Sequence, residues 1–268
     1  MKKSDTLLLA HGGGGRLTEQ LIEEVFLPAF SNETLQRLGD SAQLPAPPKD
    51  HRVAFTTDSY VVDPLFFPGG DIGHLAVCGT VNDLAMVGAR PQYLTCGLIL
   101  EEGLSLQRLG EVVASMAKAA KEAGVTLVAG DTKVVPKGRA HEIFINTSGL
   151  GWIPPERALG VQHIAPGDRI LVSGTLGDHG TVVMAARENL GLSTALESDT
   201  APLNGLVEAL FEAGVPVHAL RDPTRGGLAQ TLCEMADASG WHFTVDEAAL
   251  PVRPQVAGVA DLLGLDVL

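Results

Sequence analysis

Five aspartates and one lysine carry most of the chemical potential in this sequence. Asp40 follows a glycine in Leu38-Gly-Asp-Ser. Asp58 closes the run Arg52–Thr57, Asp83 lies inside a helical pattern, and Asp222 opens a glycine turn after Val215–Leu220. Asp131 and Lys133 share the string Gly-Asp-Thr-Lys. Carboxylates at strand exits beside glycine turns are the oxygen donors that Mg2+ takes, usually bridging to phosphates. A lysine beside them can meet a triphosphate as a point charge. Each acid alone also suits a turn or a cap. Spacing therefore leaves two readings open, a Mg2+–nucleotide site or a set of ordinary turn residues.

Asp83 shifts the balance toward a site. The stretch Gly69–Ala89 predicts a helix, with Ile72, Leu75, Ala76, Gly79, Met86 and Val87 at helical spacing, Asp71 as its cap and Gly88 as its stop. Asp83 falls within roughly 20° of Ala76 and Ile72 at the helical repeat. A carboxylate on that apolar face needs a cation, a metal or an opening to solvent.

The elements that must position these residues alternate. Strands are predicted at Arg52–Thr57, Gln92–Leu100, Val125–Ala129 and Glu142–Ile153, with a helix from Ser105 to Ala123 stopped by Gly124. Gly130-Asp-Thr-Lys-Val-Val135 is expected to be a turn. After a connection through Pro154, Pro155 and Pro166, strands are predicted at Arg169–Ser173, Val215–Leu220 and Trp241–Val245. Helices are expected from Gly180 to about Leu190, over Leu203–Ala213, from Gly227 to about Ser239, and briefly near Gly258. This pattern is a layered α/β chain with two domains. At the amino end, Gly12 to Gly15 form a loop before an amphipathic helix bearing Leu17, Leu21, Ile22, Val25 and Phe26; it is either a linker or a phosphate cover. It lacks the Gly-Lys-Ser/Thr ending of a P-loop.

Composition bounds the rest. The 268 residues are 45% hydrophobic, and the net charge of −13 argues against a broad nucleic-acid or anionic-membrane surface. No apolar run is long enough for a membrane span, and Leu7–Ala10 is too short for a signal-peptide core. Cys78, Cys96 and Cys233 show no metal spacing and read as buried thiols. Glu101 and Glu102 read as solvated, His11 as a phosphate or solvent contact, and His179 as a helix cap touching the other domain.

Five strings together carry a resemblance: TTDSYVVDPLFFPGG (56–70), GTVNDLAMVGARP (79–91), AGDTKVV (129–135), VSGTLGDHG (172–180) and RDPTRGG (221–227). In this order, and over essentially the whole chain, they resemble the HypE family of hydrogenase maturation proteins. That family lies within the aminoimidazole ribonucleotide synthetase and selenophosphate synthetase superfamily. The resemblance implies a two-domain PurM-like α/β fold. Residues 1–35 would be a glycine-rich loop and helix, 36–153 an ATP-binding domain that dimerises through its sheet, and 154–268 an incomplete C-terminal domain. It implies ATP and Mg2+, with Asp40, Asp58, Asp83 and Asp222 as metal-binding acids. Asp83 and Lys133 would be catalytic. Gly12, Gly13, Gly14 and Gly15 would cover the phosphates, and Asn82, Asp131, Thr132, Lys133, Thr224 and Arg225 would line the nucleotide site.

The implied reaction is ATP-dependent dehydration of a cysteine thiocarboxamide to a thiocyanate, the source of the cyanide ligand on the iron of [NiFe]-hydrogenase. The implied partners are the carbamoyltransferase HypF, the HypC–HypD complex and a second copy of the chain, in the cytoplasm. The family is expected to end in a Pro-Arg-Ile-Cys tail carrying the thiol, whereas this sequence ends Leu-Gly-Leu-Asp-Val-Leu. A truncated sequence without the acceptor cysteine is therefore expected. Another ATP-using synthetase or kinase of the superfamily is an alternative. Selenophosphate synthetases carry an early cysteine or selenocysteine that this chain lacks. A non-catalytic maturation scaffold is a further alternative.

Overall fold

Alternating side chains build the sheet, and the computed structural model describes residues 5–188, 196–224, 226–264 and 266–267. The amino end runs through a glycine loop into α1 (Arg16–Leu21), a π turn (Ile22–Phe26) and α2 (Leu27–Phe30). Strand β1 (Arg52–Tyr60) follows, then the short pair β2 (Phe66–Phe67) and β3 (Gly70–Asp71), then α3 (Ile72–Met86). Next come β4 (Arg90–Glu101), α4 (Leu106–Ala123), β5 (Thr126–Val135) and β6 (Ile143–Ile153). The second half contributes α5 (Asp178–Arg187), α6 (Asn204–Glu212), α7 (Gly227–Ser239) and α8 (Pro254–Leu263).

The main sheet has the order β1-β6-β4-β5. Strand β6 runs antiparallel to both β1 and β4, and β5 runs parallel to β4 through the α4 crossover. Helices α3 and α4 cover one face. Leu94, Leu98 and Leu100 of β4 and Ile143 and Ile145 of β6 are buried beneath Ile72, Val77 and Val81 of α3 and Leu109, Val112 and Met116 of α4. The opposite face is open. Val53, Phe55, Thr57 and Ser59 of β1 lie there, with Asn146 and Ser148 of β6 hydrogen-bonded to Thr57. Phe55 is 70% exposed.

The helix ends predicted at Asp71, Gly88 and Gly124 are observed, whereas Ser105, expected to cap α4, precedes it without a side-chain cap hydrogen bond. The Asp71 carboxylate accepts from Gly73 N (2.7 Å) and His74 N (3.1 Å), and Gly124 ends α4 with φ 70°. Gly88 follows α3 with φ 76°. Gly79 lets α3 approach the sheet, because a Cβ there would run into the Tyr60 hydroxyl. Around that contact the Tyr60 and Thr80 hydroxyls are bonded (3.2 Å), Thr80 bonds Thr147, and Thr147 Oγ1 donates to Ala76 O (3.0 Å). Every member is buried, so the chain of hydroxyls fixes how α3 lies over β1 and β6.

Several expectations need correction. The string Gly130-Asp-Thr-Lys-Val-Val135 is not a turn: it continues β5, because pairing with Cys96–Glu101 of β4 outweighs its turn-like composition. Strand β1 extends through Tyr60, so Asp58 sits inside a strand. The strands expected at 169–173, 215–220 and 241–245 are absent among the described residues. Their apolar pattern remains, but a strand exists only where a neighbouring backbone completes its ladder. In that half the described pairing is one bridge, Leu176 with Val252. Leu171 is consequently 83% exposed, and Trp241 and Val245 are exposed as well. No helix among the described residues is long and apolar enough to cross a membrane.

Candidate functional site

Helix α3 carries Asp83 to the edge strand β1. Inward-facing residues of β1 alternate as Ala54, Thr56, Asp58 and Tyr60, which brings two polar side chains under the end of the helix. Thr56 Oγ1 donates to Asp83 Oδ2 at 2.9 Å. Asp222, from the loop before α7, lies near enough to Asp83 for the two carboxyls to influence each other's protonation. The anomaly on the apolar stripe is thereby resolved: Asp83 is half-buried and answered by a hydroxyl and a second carboxyl.

The electrostatics are those of acids crowded together. Burial pushes the Asp222 carboxyl up to about 6, and the charge of Asp83 adds to it. Burial likewise raises Asp83, the Thr56 hydrogen bond opposes the rise, and the charge of Asp58 adds to it. Three carboxylates held together with hard oxygen donors invite a cation. Among the described residues, however, no group of three or more His, Cys, Asp or Glu side chains is placed to hold a metal ion.

The other predicted residues lie elsewhere. Asp131 and Lys133 sit on β5, at the far edge of the sheet and on its open face, in register with Gly97 and Ile99. Lys133 Nζ lies 3.3 Å from Asp131 Oδ1, and both side chains are exposed. Thr132 points to the helix side. Three strand spacings of about 4.8 Å separate this edge from β1. The glycine loop belongs to the β5 edge: a Cβ on Gly12 would lie 2.6 Å from Val134 N, whereas Gly14 and Gly15 face open space. Gly13 donates its N–H to Ala10 O (3.4 Å). Asp40 lies on the exposed loop after the turn Leu35–Arg37, which packs on β5. The predicted set is thus split into one group at β1 (Asp58, Asp83, Asp222) and another near β5 (Gly12–Gly15, Asp40, Asp131, Thr132, Lys133).

Two more predicted residues have definite surroundings. Asn82 spends its amide on residues 201–203, donating Nδ2 to Ala201 O (3.0 Å) and accepting from Leu203 N (2.7 Å). Thr224 is exposed in the loop that opens α7, and Arg225 lies outside the described residues. His11 is buried, and its Nδ1 accepts from Leu8 N (2.9 Å), which corrects the expectation of a phosphate or solvent contact. Cys233 is exposed on α7, contrary to expectation, while Cys78 and Cys96 are buried with thiols pushed up to about 12. His179 touches the first half, edge-on to Phe67 (5.3 Å) and bonded to Ser198 Oγ (3.0 Å), but it does not cap its helix: it lies inside α5, which has no side-chain cap hydrogen bond.

Sequence reasoning missed three participants. Thr56 was visible only as one hydroxyl in a threonine pair. The Glu101 carboxylate, expected to be solvated, accepts from Gly138 N and Ala140 N (both 2.9 Å) and pins the β5–β6 loop. Glu208 of α6 binds Arg90 bidentately (2.6 Å to Oε1 and 3.2 Å to Oε2) and Arg157 (2.7 Å). Nothing in their spacing announces these long-range partners.

Comparison with known proteins decides the family. Residues 39–153 match the N-terminal domain model of AIR synthase related proteins, and 165–267 match the C-terminal one. The carbamoyl dehydratase HypE of Escherichia coli (strain K12) is 51% identical over 268 residues, covering 98% of this chain and 79% of that protein. The chain belongs to the HypE family. A crystal structure of HypE in complex with ATP superposes with a TM-score of 0.94 at 52% identity, covering 98% of this chain and 78% of the other. A HypE–HypF complex gives a TM-score of 0.78 at 51% identity, over 92% and 80% of the two chains. The fold is accordingly the PurM-like α/β fold of the HypE family.

Proposed function

We propose that this chain binds ATP with Mg2+ and uses it to convert a cysteine thiocarboxamide into a thiocyanate, as a carbamoyl dehydratase of hydrogenase maturation. The observation that carries the reading is the convergence of Asp58, Asp83 and Asp222 at one edge of the sheet. It stands in a chain half identical to a HypE solved with ATP. Asp83 and Asp222, helped by Asp58, would hold the cation, which when bound would neutralise phosphate charge. Lys133 would meet the triphosphate, and Gly14 and Gly15, whose Cβ positions face open space, would lie over it. The amide oxygen attacks the γ-phosphorus and ADP leaves. Phosphate then departs with the oxygen while the nitrogen loses its two protons, leaving the nitrile. Phosphorylation turns a poor leaving group into a good one.

The division of the predicted residues between β1 and β5 supports a site built from two copies. Packing the open faces together would bury Phe55 and Val53 and bring the β1 edge of one copy toward the β5 edge of the other. Sedimentation velocity reports this pairing, and a fully active monomer would exclude it. The similarity to HypE in complex with HypF supports HypF as a partner of the same surface chemistry. HypC–HypD and a cytoplasmic location complete the reading. The domain division at about residue 154 belongs to it too, with α6 packed on the first domain.

The test is Asp83→Asn. This change should abolish Mg2+-dependent ATP hydrolysis while the circular dichroism spectrum stays that of the wild type. Unchanged turnover would remove Asp83 from the site.

A further inference from the structure

We infer that Asn82 is a positioning residue: it fastens the segment 196–204 to α3 and so fixes how Asp222 meets Asp83. The inference rests on the reading of those two acids as the cation-binding pair.

Asn82 and Asp83 are neighbours on one helix, about 100° apart around its axis. Asp83 therefore faces β1 while Asn82 faces the second half of the chain. Both polar ends of the Asn82 amide are in use there, toward Ala201 O and Leu203 N. These two bonds fix the orientation of the amide and leave one N–H and one lone pair of it uncommitted to the segment.

The segment held by Asn82 is tied at both ends. At one end Ser198 N donates to Pro68 O (2.9 Å), and Asp199 Oδ1 accepts from His179 N (3.1 Å). At the other, Asn204 Nδ2 donates to Ala123 O (2.8 Å), at the carbonyl end of α4. Helix α6 begins at Asn204 and is bolted to the first half again by Glu208. The chain then turns at Gly214 and reaches Asp222 without regular secondary structure. Asp222 thus lies beyond an irregular stretch after α6, a stretch held as well by Gly160 N to His218 O (3.0 Å) and His218 Nδ1 to Asp168 Oδ2 (2.8 Å), while the start of α6 is held by Asn82, next to Asp83. Loosening that start moves one acid relative to the other.

Two variants test this, Asn82→Ala and Asn204→Ala, the second outside the set of residues predicted to line the nucleotide site. Hydrogen exchange of amides 201–205, followed by mass spectrometry, should accelerate about tenfold in Asn82→Ala, the loss of hydrogen bonds worth about that factor. In both variants kcat for Mg2+-dependent ATP hydrolysis should fall about tenfold with KM within about twofold, the signature of misplacement. A raised KM with kcat retained in Asn82→Ala would make Asn82 a nucleotide contact and overturn the inference. An unchanged kcat in Asn204→Ala, or unchanged exchange in Asn82→Ala, would overturn it as well. A wild-type protein that hydrolyses no ATP would sink the site reading, while the exchange experiment would still decide whether Asn82 fastens the segment.

Discussion

Glu208→Gln should destabilise the protein by about 2 kcal/mol at pH 7, and the loss should fade in acid. Glu208 joins two arginines. Arg90 binds it bidentately, and this bond does most to hold the Glu208 carboxyl down to about 2, with Arg157 adding to it. Against an ordinary value of 4.5, that depression corresponds to roughly 3 kcal/mol before screening. The Arg90 side chain is half exposed, so solvent removes much of its share. Arg157 pulls the other way. Its side chain is 3% exposed, it donates to Gly88 O (3.1 Å), and it stacks 4.1 Å over the Phe211 ring. Without the carboxylate its charge stays buried with only a carbonyl and a ring to answer it. About 2 kcal/mol is the balance of these effects. The pH dependence has a definite sign. A depressed carboxyl contributes fully above about 4.5 and loses that contribution as pH falls toward 2, because the unfolded chain takes up the proton first. Urea unfolding of wild type and variant at pH 7, 5, 4 and 3 gives the difference directly. A difference that is equal at pH 7 and pH 3, or absent at pH 7, would refute the assignment.

Two further substitutions probe the acid pair and the seat of α3. Asp222→Asn should stabilise the fold by about 1 kcal/mol at pH 7, because it removes a charge that burial and Asp83 both disfavour, while ATP hydrolysis is lost; a melting temperature at or below that of the wild type would contradict this. Gly79→Ala should cost about 1–3 kcal/mol, since its methyl would displace the Tyr60 ring and strain the hydroxyl chain under α3. Denaturant midpoints would show it, and a neutral change would mean that α3 lies less tightly on the sheet than described.

Much of the first half is legible in the sequence because its signals are local. Asp71, Gly88 and Gly124 mark helix ends by chemistry that needs no partner. Asp83 announces its own need for a partner by its place on an apolar stripe. The residues that answer it are not legible in the same way. Thr56 is found only by strand alternation and the approach of α3, and the nearness of Asp222, itself visible as an acid before a glycine turn, only by the way the second half folds back on the first. Asp131 and Lys133 mislead because glycine, aspartate and threonine favour turns, whereas a parallel neighbour can hold the same residues extended. The apolar runs of the second half show that those segments suit a ladder, and apolarity alone does not supply the neighbouring strand. Cys233 misleads through its small apolar side chain, which says little about the face of α7 it occupies.

The placement of β1 and β5 at opposite edges of the sheet has a genetic consequence. If each complete site borrows one edge from either copy, an allele changed at Lys133 would spoil sites in which the intact copy supplies its acids. An allele changed at Asp83 would do the reciprocal damage. Expressed together, the two defective alleles could form mixed pairs in which one site unites both intact edges. The two defective alleles would thus complement each other, a pattern that a site contained within one copy cannot produce.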